Sequence, residues 1–339
     1  MINKNIKHKN IMKPAAYLTV FIVILSLVTS ACSKSSLEKA TSTRLAMGTT
    51  VTIIFLHESG SDYEKIMNEA FDEIKRLSGI MGHYDRNSQV SRLNREGILE
   101  KADPQLMEVV ERALEYNKLT KGAFDITIWP IIELFRDRFK ENKVPREEEI
   151  KKVLALVGSD KIEVKGSTIR LMKKGMKISL DGLAKGYIVD MASKVLLEHG
   201  IKNHLINAGG DIKTSGLRED GRPWKVAIQD PAKKDNHLDV IELTDSSVAT
   251  SGNYENYYDA EKIFHHIANP KTGFSPVLNS SASIIAPTAM EADALATALM
   301  VMAPDYGISF INSLSGREVL IINREDKLIK SSGWKSVPD

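Results

Sequence analysis

Apolar residues recur with helical spacing in three stretches of the chain, which predicts three amphipathic helices. The first stripe covers residues 62–78 and consists of Tyr63, Ile66, Met67, Ala70, Phe71, Ile74 and Leu77. The second covers residues 104–119 and consists of Leu106, Val109, Val110 and Ala113, with Pro104 suited to a first helical turn. The third stretch, 146–158, is highly charged and ends at Gly158.

Short runs of β-branched residues between turn residues predict strands. One such run covers residues 41–56, with an interruption at Met47-Gly48. Further strands are predicted near 161–171, 176–180, 203–207, 224–229, 239–243, 281–285 and 318–323. Two more helices are predicted, one that follows the loop at 181–187 and ends at Gly200, and a last one from about Ala289 to Met302. The elements alternate without a regular βαβ order, so the sequence predicts an α+β fold in a single large domain.

The N-terminus departs from this pattern. A basic segment precedes an apolar run from Ala15 to Val28 and then Thr29-Ser30-Ala31-Cys32, and its lysines are Lys4, Lys7, Lys9 and Lys13. This is typical of an export signal. One interpretation of Cys32 is a chance residue in a membrane anchor. The interpretation we favour is a lipoprotein that is cleaved after Ala31 and acylated, for example with palmitate, at Cys32.

These features divide the chain into a signal peptide (1–31), a tether (32–40) and one folded domain (41–339). Removing residues 1–31 takes away four lysines and no acid, so the formal charge changes from +2 to −2. A nearly neutral domain gives no reason to expect nucleic-acid binding. Because Cys32 is the single cysteine among 339 residues, no disulfide can form within the chain.

The segment 287–300 offers a candidate metal site. Thr288 and Glu291 have the spacing of a capping box, which predicts a helix start. Asp293 and Thr297 then lie one turn apart on the same helix face. Their oxygens suit Mg²⁺, which binds one or two carboxylates together with phosphate oxygens. The ordinary alternative is a solvated aspartate beside a threonine that is hydrogen-bonded to its own helix.

Two loops offer weaker indications of ligand binding. In "SLDGLAKGY", 179–187, a turn leads into a helix whose free N–H groups, together with Lys185, could bind phosphate. The two glycines of "INAGGDI", 206–212, permit a close backbone approach, although the motif viewed alone favours an ordinary tight turn. The segment "KGAFDITIWP", 121–130, could be core or could line a slot for a flat ring. The turn "ATSGNYENYY", 249–258, is uninformative alone.

The segment "FHHIANPKTGFSP", 264–276, places two histidines before a turn. Neighbours in an extended segment point to opposite faces, so one histidine of the pair should face a site. Histidine titrates near pH 6.5 and therefore suits general-base chemistry at neutral pH. We predict that His266 faces the site and that His265 points outward or is structural.

The order and spacing of these motifs resemble the ApbE family of FAD:protein FMN transferases. The motifs that carry the resemblance are "AMGTTVTI", "KGAFDITI", "LAKGYIVD", "INAGGDI", "ATSGNYE", "HHIANPKTG" and "ADALATAL", and they span residues 41–325. The resemblance implies an α+β fold related to the T-fold, with FAD as donor and Mg²⁺ as metal. It also implies transfer of FMN to a threonine or serine hydroxyl of a partner protein, with release of AMP.

The resemblance also implies roles for individual residues. Those that would line the FAD site are Met47, Tyr84, Ala123, Phe124, Asp125, Asp181, Tyr187 and Ile267. Lys185 would face the pyrophosphate, and His266 would be the catalytic histidine. The metal would be held by the side chains of Asp293 and Thr297 and by the backbone carbonyl of Ala184. The chain departs from the family at Asn269 and Ser179, where aspartate is frequent in the family.

Two alternatives remain open at this point. In the first, water replaces the acceptor hydroxyl and the protein is an FAD pyrophosphatase that yields FMN and AMP. In the second, the protein is a lipoprotein that binds flavin without chemistry. The resemblance to a lipid-anchored family predicts export, anchoring to the membrane on its extracytoplasmic face through Cys32, and an acceptor among membrane or extracytoplasmic redox proteins.

Overall fold

The computed structural model describes residues 37–83, 85–231, 236–254, 257 and 264–338. The predicted signal peptide, Cys32 and Tyr84 lie outside these described residues. The first strand begins at Leu37, four residues before the domain start predicted at position 41, and Ala40 is already buried. The predicted tether therefore extends too far into the folded domain.

An eight-stranded antiparallel sheet forms the centre of the molecule. The thirteen described strands are β1 (Leu37–Ala46), β2 (Thr49–Glu58), β3 (Ile98–Leu99), β4 (Ile162–Lys165), β5 (Thr168–Leu171), β6 (His204–Ala208), β7 (Asp211–Ser215), β8 (Trp224–Gln229), β9 (His237–Leu243), β10 (Ser247–Gly252), β11 (Asn279–Ala286), β12 (Glu318–Asn323) and β13 (Leu328–Lys330). The sheet has the order β1-β2-β6-β7-β10-β11-β12-β13. Strands β3, β5 and β4 form a small sheet, and β8 pairs with β9.

Eight described α-helices accompany the strands. They are α1 (Tyr63–Met81), α2 (Gln89–Glu96), α3 (Pro104–Leu119), α4 (Trp129–Lys140), α5 (Glu147–Leu154), α6 (Ala184–Glu198), α7 (Ala289–Val301) and α8 (Pro304–Asn312). Helix α6 packs on α1, on α7 and on the strands β6 and β7, while α7 packs on β10 and β11. The buried stripe of α1 matches the predicted one except at its edges, because Tyr63 is exposed.

The two faces of the large sheet differ in what covers them. Strand alternation sends Ile206 and Ala249 into the main core with α6 and α7, which we call the helix face. Their neighbours Ile212 and Val248 point the other way, into a smaller apolar core with the β8–β9 hairpin and Trp334. We call this second side the hairpin face.

The α+β class predicted from the sequence matches these mixed elements, but several local predictions were wrong. Residues 176–180 form no strand, because the side chain of Asn94 binds both the N–H and the carbonyl of Ile178. The helix that ends at Val301 is followed by a further helix, α8, which was not predicted.

None of the helices in the described ranges combines the length and the apolar character needed to cross a bilayer.

Candidate active site

The candidate site lies where α6 crosses α7 on the helix face. The crossing is close because Gly186 has no side chain: an ideal Cβ there would lie 2.3 Å from the carbonyl oxygen of Ala289. Asp190, one turn further along α6, accepts hydrogen bonds from the N–H groups of Ala289 and Met290, each at 2.9 Å. The first turn of α6 is thereby fixed against the first turns of α7.

Asp293 projects from α7 into this crossing. Its side chain is buried, with 5% exposed, and the N–H of Gly186 donates to its Oδ2 at 3.2 Å. Burial raises the pKa of Asp293 well above the usual carboxyl range, and the neighbouring Asp211 carboxylate raises it further, while Lys185 opposes the change. Asp293 is therefore not the solvated helix acid of the ordinary alternative.

Thr297 lies one turn beyond Asp293 and faces the loop before α6. An ideal Cβ on Gly182 would lie 2.9 Å from the Thr297 Oγ1 and 3.2 Å from Cε2 of the Phe124 ring. Ser251 in β10 shares a hydrogen bond with the Thr297 hydroxyl at 3.3 Å. Glycine at position 182 therefore allows the loop to pack closely against Thr297 and Phe124, where a larger residue would not fit.

Lys185 completes the cluster from the first turn of α6. Its Nζ lies 3.4 Å from Oδ2 of Asp211, the first residue of β7. Asp211 is almost fully buried, with 1% exposed, whereas the lysine side chain is partly exposed. Leu183, the residue before α6, provides no side-chain cap, and Asp293 instead binds an N–H of this first turn.

The donor atoms of this cluster suit a magnesium ion. The described residues contain no group of three or more His, Cys, Asp or Glu side chains arranged for a metal. A cation would therefore depend on the Asp293 carboxylate, the Thr297 hydroxyl, backbone carbonyls such as that of Ala184, and phosphate oxygens of a ligand. That is the set of oxygen ligands with which Mg²⁺ usually binds nucleotides. The buried Asp293 carboxylate and the nearby Thr297 hydroxyl are consistent with such an ion.

Asp181 forms the exposed rim of the same loop, with 60% of its side chain exposed. His83 Nδ1 lies 3.2 Å from its Oδ1, and the His83 ring packs against Trp129 with 4.0 Å between ring centroids. His83 is thus adjacent to the Asp181 loop.

Two residues predicted to line the FAD site, Asp125 and Tyr187, use their polar side-chain atoms in hydrogen bonds within the protein. The Asp125 carboxylate accepts from Thr127 and Ser159, through both backbone and side chain of each, and from the side chain of Asn117. The buried Tyr187 donates its hydroxyl to Glu108 at 2.8 Å. We infer that their side chains shape the site and that any contact with FAD involves their backbone or ring atoms.

The remaining predicted FAD residues are apolar and belong to the main core or pack against it. Ala123, Phe124 and Ile267 are buried in the main core, and Met47 packs against it from the turn between β1 and β2. An ideal Cβ at Gly122 would contact Cε of Lys271 at 3.9 Å, so the Phe124 loop borders the turn that follows the histidines. The structure therefore brings the Phe124 loop next to both the Thr297 cluster and the histidine segment.

The two histidines have different environments. His265 is buried, with 3% exposed; its Nε2 is 2.9 Å from the carbonyl oxygen of Pro276 and its backbone is paired with Ser275. His266 is partly exposed. His265 is thus held in the interior by hydrogen bonds, and His266 is the more exposed of the two histidines.

Comparison with known proteins identifies the family. The ApbE family model matches residues 47–321. The chain belongs to the ApbE family. An FAD:protein FMN transferase of Vibrio cholerae is 30% identical over 325 residues, which cover 93% of this chain and 97% of the relative. The crystal structure of the ApbE protein of Thermotoga maritima superposes with a TM-score of 0.80 at 30% identity and covers 87% of this chain and 97% of its own.

A second ApbE structure gives the same result. The flavin transferase ApbE of Vibrio cholerae superposes with a TM-score of 0.76 at 29% identity, again over 87% of this chain. These matches confirm the family, the α+β fold class and the flavin-transferase function that were predicted from the sequence. The roles of individual site residues stay predictions.

A cavity of about 210 Å³ opens on the hairpin face of this ApbE fold. It is lined by the end of the β6–β7 turn and by β8 and β10, including Gly210, Ile228, Gln229, Thr250 and Tyr254. It contains none of the charged residues of the Asp293 cluster. We place the chemistry at the cluster because buried carboxylates, a lysine and a helix N-terminus meet there.

Three site residues were missed by sequence reasoning. Asp211 lies within the motif "INAGGDI", Ser251 lies within the turn judged uninformative, and His83 precedes Tyr84. A strand-ending glycine pair followed by an acid was a usable indication for Asp211. Nothing local marks Ser251 or His83, because their partners are distant in the sequence.

Proposed function

We propose that this ApbE-family protein is a Mg²⁺-dependent FAD:protein FMN transferase that modifies a threonine or serine of an acceptor protein. The oxygen of the acceptor hydroxyl forms a bond to the FMN phosphorus of FAD, and the bond from that phosphorus to the bridging oxygen breaks. AMP leaves, and FMN stays attached to the acceptor as a phosphoester. The observation that carries this proposal is the cluster of the buried Asp293 with Thr297 and Lys185, where α7 meets the start of α6.

The start of α6 and Lys185 would bind the pyrophosphate. Helix N-termini present backbone N–H groups and a positive dipole end to anions. Lys185 adds a positive charge in the same turn, and its ammonium forms an ion pair with the Asp211 carboxylate. The apolar residues Ala123, Phe124 and Ile267 border this turn and would receive the flavin portion.

Asp293, Thr297 and the carbonyl of Ala184 would hold the magnesium ion. A bound divalent cation neutralises charge that develops on phosphate oxygens and aligns the reacting groups. The protein contributes a site in which Asp293 is already buried and oriented by the N–H of Gly186.

His266 would act as the general base. A threonine or serine hydroxyl is a poor nucleophile until its proton is removed, and the imidazole would accept that proton as the oxygen–phosphorus bond forms. His265 cannot take this role without leaving its bond with Pro276.

The decisive experiment is flavin transfer in a defined mixture. The protein is incubated with FAD, Mg²⁺ and a candidate redox-protein acceptor, and covalent flavin is measured by in-gel fluorescence. Replacing His266 with alanine should reduce transfer by about 10²- to 10⁴-fold without loss of FAD binding. Replacing His199, which pairs with Glu69 on the surface, is the matched control and should leave transfer unchanged. Normal transfer by His266→Ala would exclude this base.

The same mixture without acceptor tests the hydrolase alternative. A transferase should release little AMP when no hydroxyl acceptor is present. Repeated AMP turnover under these conditions would show that water replaces the acceptor and would reject the transferase assignment.

We also propose that the mature chain is anchored through Cys32 on the extracytoplasmic face of the membrane. The basic and apolar leader supports this location. Cys32→Ala should abolish incorporation of labelled fatty acid. Incorporation at the wild-type level would contradict lipidation at this residue.

A further inference from the structure

We infer that Asp211 is a positioning residue of the cation and phosphate site. Its carboxylate holds the Lys185 ammonium. As a second buried carboxylate beside Asp293, it also adds negative charge that attracts the cation. This inference rests on the proposed function. Neither the family comparison nor the ligand set expected from the resemblance assigns a role to this residue.

The position of Asp211 follows from the glycine turn that precedes it. Gly209 and Gly210 both have positive φ, 59° and 98°, and the turn brings the chain from β6 directly into β7. Strand alternation then directs Asp211 and Lys213 to the helix face, while Ile212 between them enters the hairpin-face core. Lys213 confirms the direction, because its Nζ binds the carbonyl of Pro287 just before α7.

Two buried carboxylates and one ammonium lie close together around Asp211. Asp211 and Asp293 are both buried, and Lys185 is the cation paired with Asp211 at 3.4 Å. When a cation is bound and both carboxylates are ionised, the two carboxylates and the Lys185 ammonium together contribute a formal charge of −1. A divalent cation would reverse this charge to +1, which suits an anionic pyrophosphate.

A purely structural role for the Lys185–Asp211 pair makes a different prediction. If the pair only stabilises the fold, replacing either partner should disturb the cluster, and both replacements should weaken cation binding. If Asp211 acts through its charge, replacing Asp211 and replacing Lys185 should change the affinity for Mg²⁺ in opposite directions. Removing the carboxylate should weaken Mg²⁺ binding, and removing the ammonium should leave it unchanged or strengthen it.

The test is Mg²⁺ titration of the FAD-free protein by isothermal titration calorimetry, for wild type, Asp211→Asn, Lys185→Met, Asp293→Asn and Asp239→Asn. Asp211→Asn should raise the Mg²⁺ Kd about 10- to 100-fold, as loss of groups that orient metal ligands usually does. Lys185→Met should not raise it, although it should weaken FAD binding. Asp239 is the matched control, because it is a buried aspartate paired with a lysine elsewhere in the molecule.

Each outcome has one meaning. If Asp211→Asn binds Mg²⁺ within twofold of wild type while Asp293→Asn does not bind, the inference is overturned and the proposed function stands. If the wild-type protein binds no Mg²⁺, either alone or with AMP added to supply phosphate oxygens, the metal dependence in the proposed function fails. If circular dichroism shows that Asp211→Asn is unfolded, Lys185→Met decides, because weaker Mg²⁺ binding by that variant would contradict the charge argument.

Discussion

Two buried aspartates in different regions of the molecule have opposite electrostatic environments. Asp239, in the β8–β9 hairpin, binds Lys330 at 2.7 Å, Trp334 at 2.8 Å and Ser336 at 2.9 Å. Burial opposes its ionisation, but these hydrogen bonds together lower the pKa of Asp239 below the usual value. Asp293 has one backbone N–H and a second carboxylate beside it, and its pKa is raised.

The difference separates a structural carboxylate from a ligand site. The protein alone satisfies the charge of Asp239, so nothing further is needed there. The surroundings of Asp293 provide too few donors for an ionised carboxylate, which is a costly arrangement unless a cation is bound. Burial alone does not distinguish the two, because they are 8% and 5% exposed.

The largest expected effect is the contrast between replacing Asp293 and replacing Asp239. Asp293→Ala should reduce Mg²⁺-dependent FMN transfer by about 10³-fold or more, since metal stabilisation of phosphoryl transfer is worth several kcal/mol. Asp239→Asn should lower the free energy of unfolding by about 1–3 kcal/mol and leave transfer unchanged. Transfer assays at limiting Mg²⁺ and urea unfolding measure the two effects. Full activity of Asp293→Ala would return that residue to a structural role.

The second effect concerns the crossing that presents Asp293. Gly186→Ala should lower the free energy of unfolding by about 3 kcal/mol, because the new Cβ would meet the backbone of Ala289 and Met290, which cannot move aside cheaply. Gly79→Ala in α1 is the matched control: nothing lies within 4 Å of its ideal Cβ. That variant should raise the free energy of unfolding by about 0.5–1 kcal/mol. Equal effects on unfolding would show that the close crossing is unimportant.

The third effect is a pH dependence that arises on the helix face. Burial lowers the pKa of His204 to about 4, and its ring binds Ser193 and the carbonyl of Ile201. The unfolded chain therefore binds more protons than the folded protein below about pH 6.5. Stability should be complete above pH 6.5 and should fall by about 3 kcal/mol as the pH decreases to about 4.

Urea unfolding across that pH range, compared with His204→Asn, measures this contribution. The variant should be less stable than wild type at pH 7. In the plot of unfolding free energy against pH, the part of the slope that His204 causes should disappear. An unchanged slope would assign the pH dependence to other groups.

The smallest expected effect tests the hairpin face. Ile228→Val should lower the free energy of unfolding by about 0.5–1.5 kcal/mol, the usual cost of one buried methyl group. FMN transfer should stay within about twofold of wild type, a margin worth less than 0.5 kcal/mol. A large rise in the KM for FAD would show instead that the cavity beside Ile228 belongs to the donor site.

Local patterns in the sequence predicted the elements that are specified by residues within one short segment. The apolar stripe of residues 104–119 gave α3 with its observed bounds, and the threonine cap at Thr288 binds the N–H of Glu291 as expected. The carboxylate of Glu291 does not complete the capping box, because it pairs with Arg317. A partner 26 residues away in the chain could not be inferred from spacing.

The same limit explains the errors at the site. The alternation of Met176, Ile178 and Leu180 resembles a buried strand, yet Asn94 from α2 takes the hydrogen bonds that a neighbouring strand would need. Asp211 meets Lys185 and Asp293 through tertiary packing of three elements that are separate in sequence. A candidate site could be suggested from sequence where one motif carried both residues, as in Asp293 and Thr297, and could not where several motifs converge.

The junction between β7 and β10 has a mechanical consequence. In the described part of both strands, the pairing is limited to Lys213 with Ser247 and Ile212 with Val248. The large sheet is therefore joined near its middle by a short ladder. We expect amide hydrogens at this junction to exchange earlier than those within the longer ladders on either side.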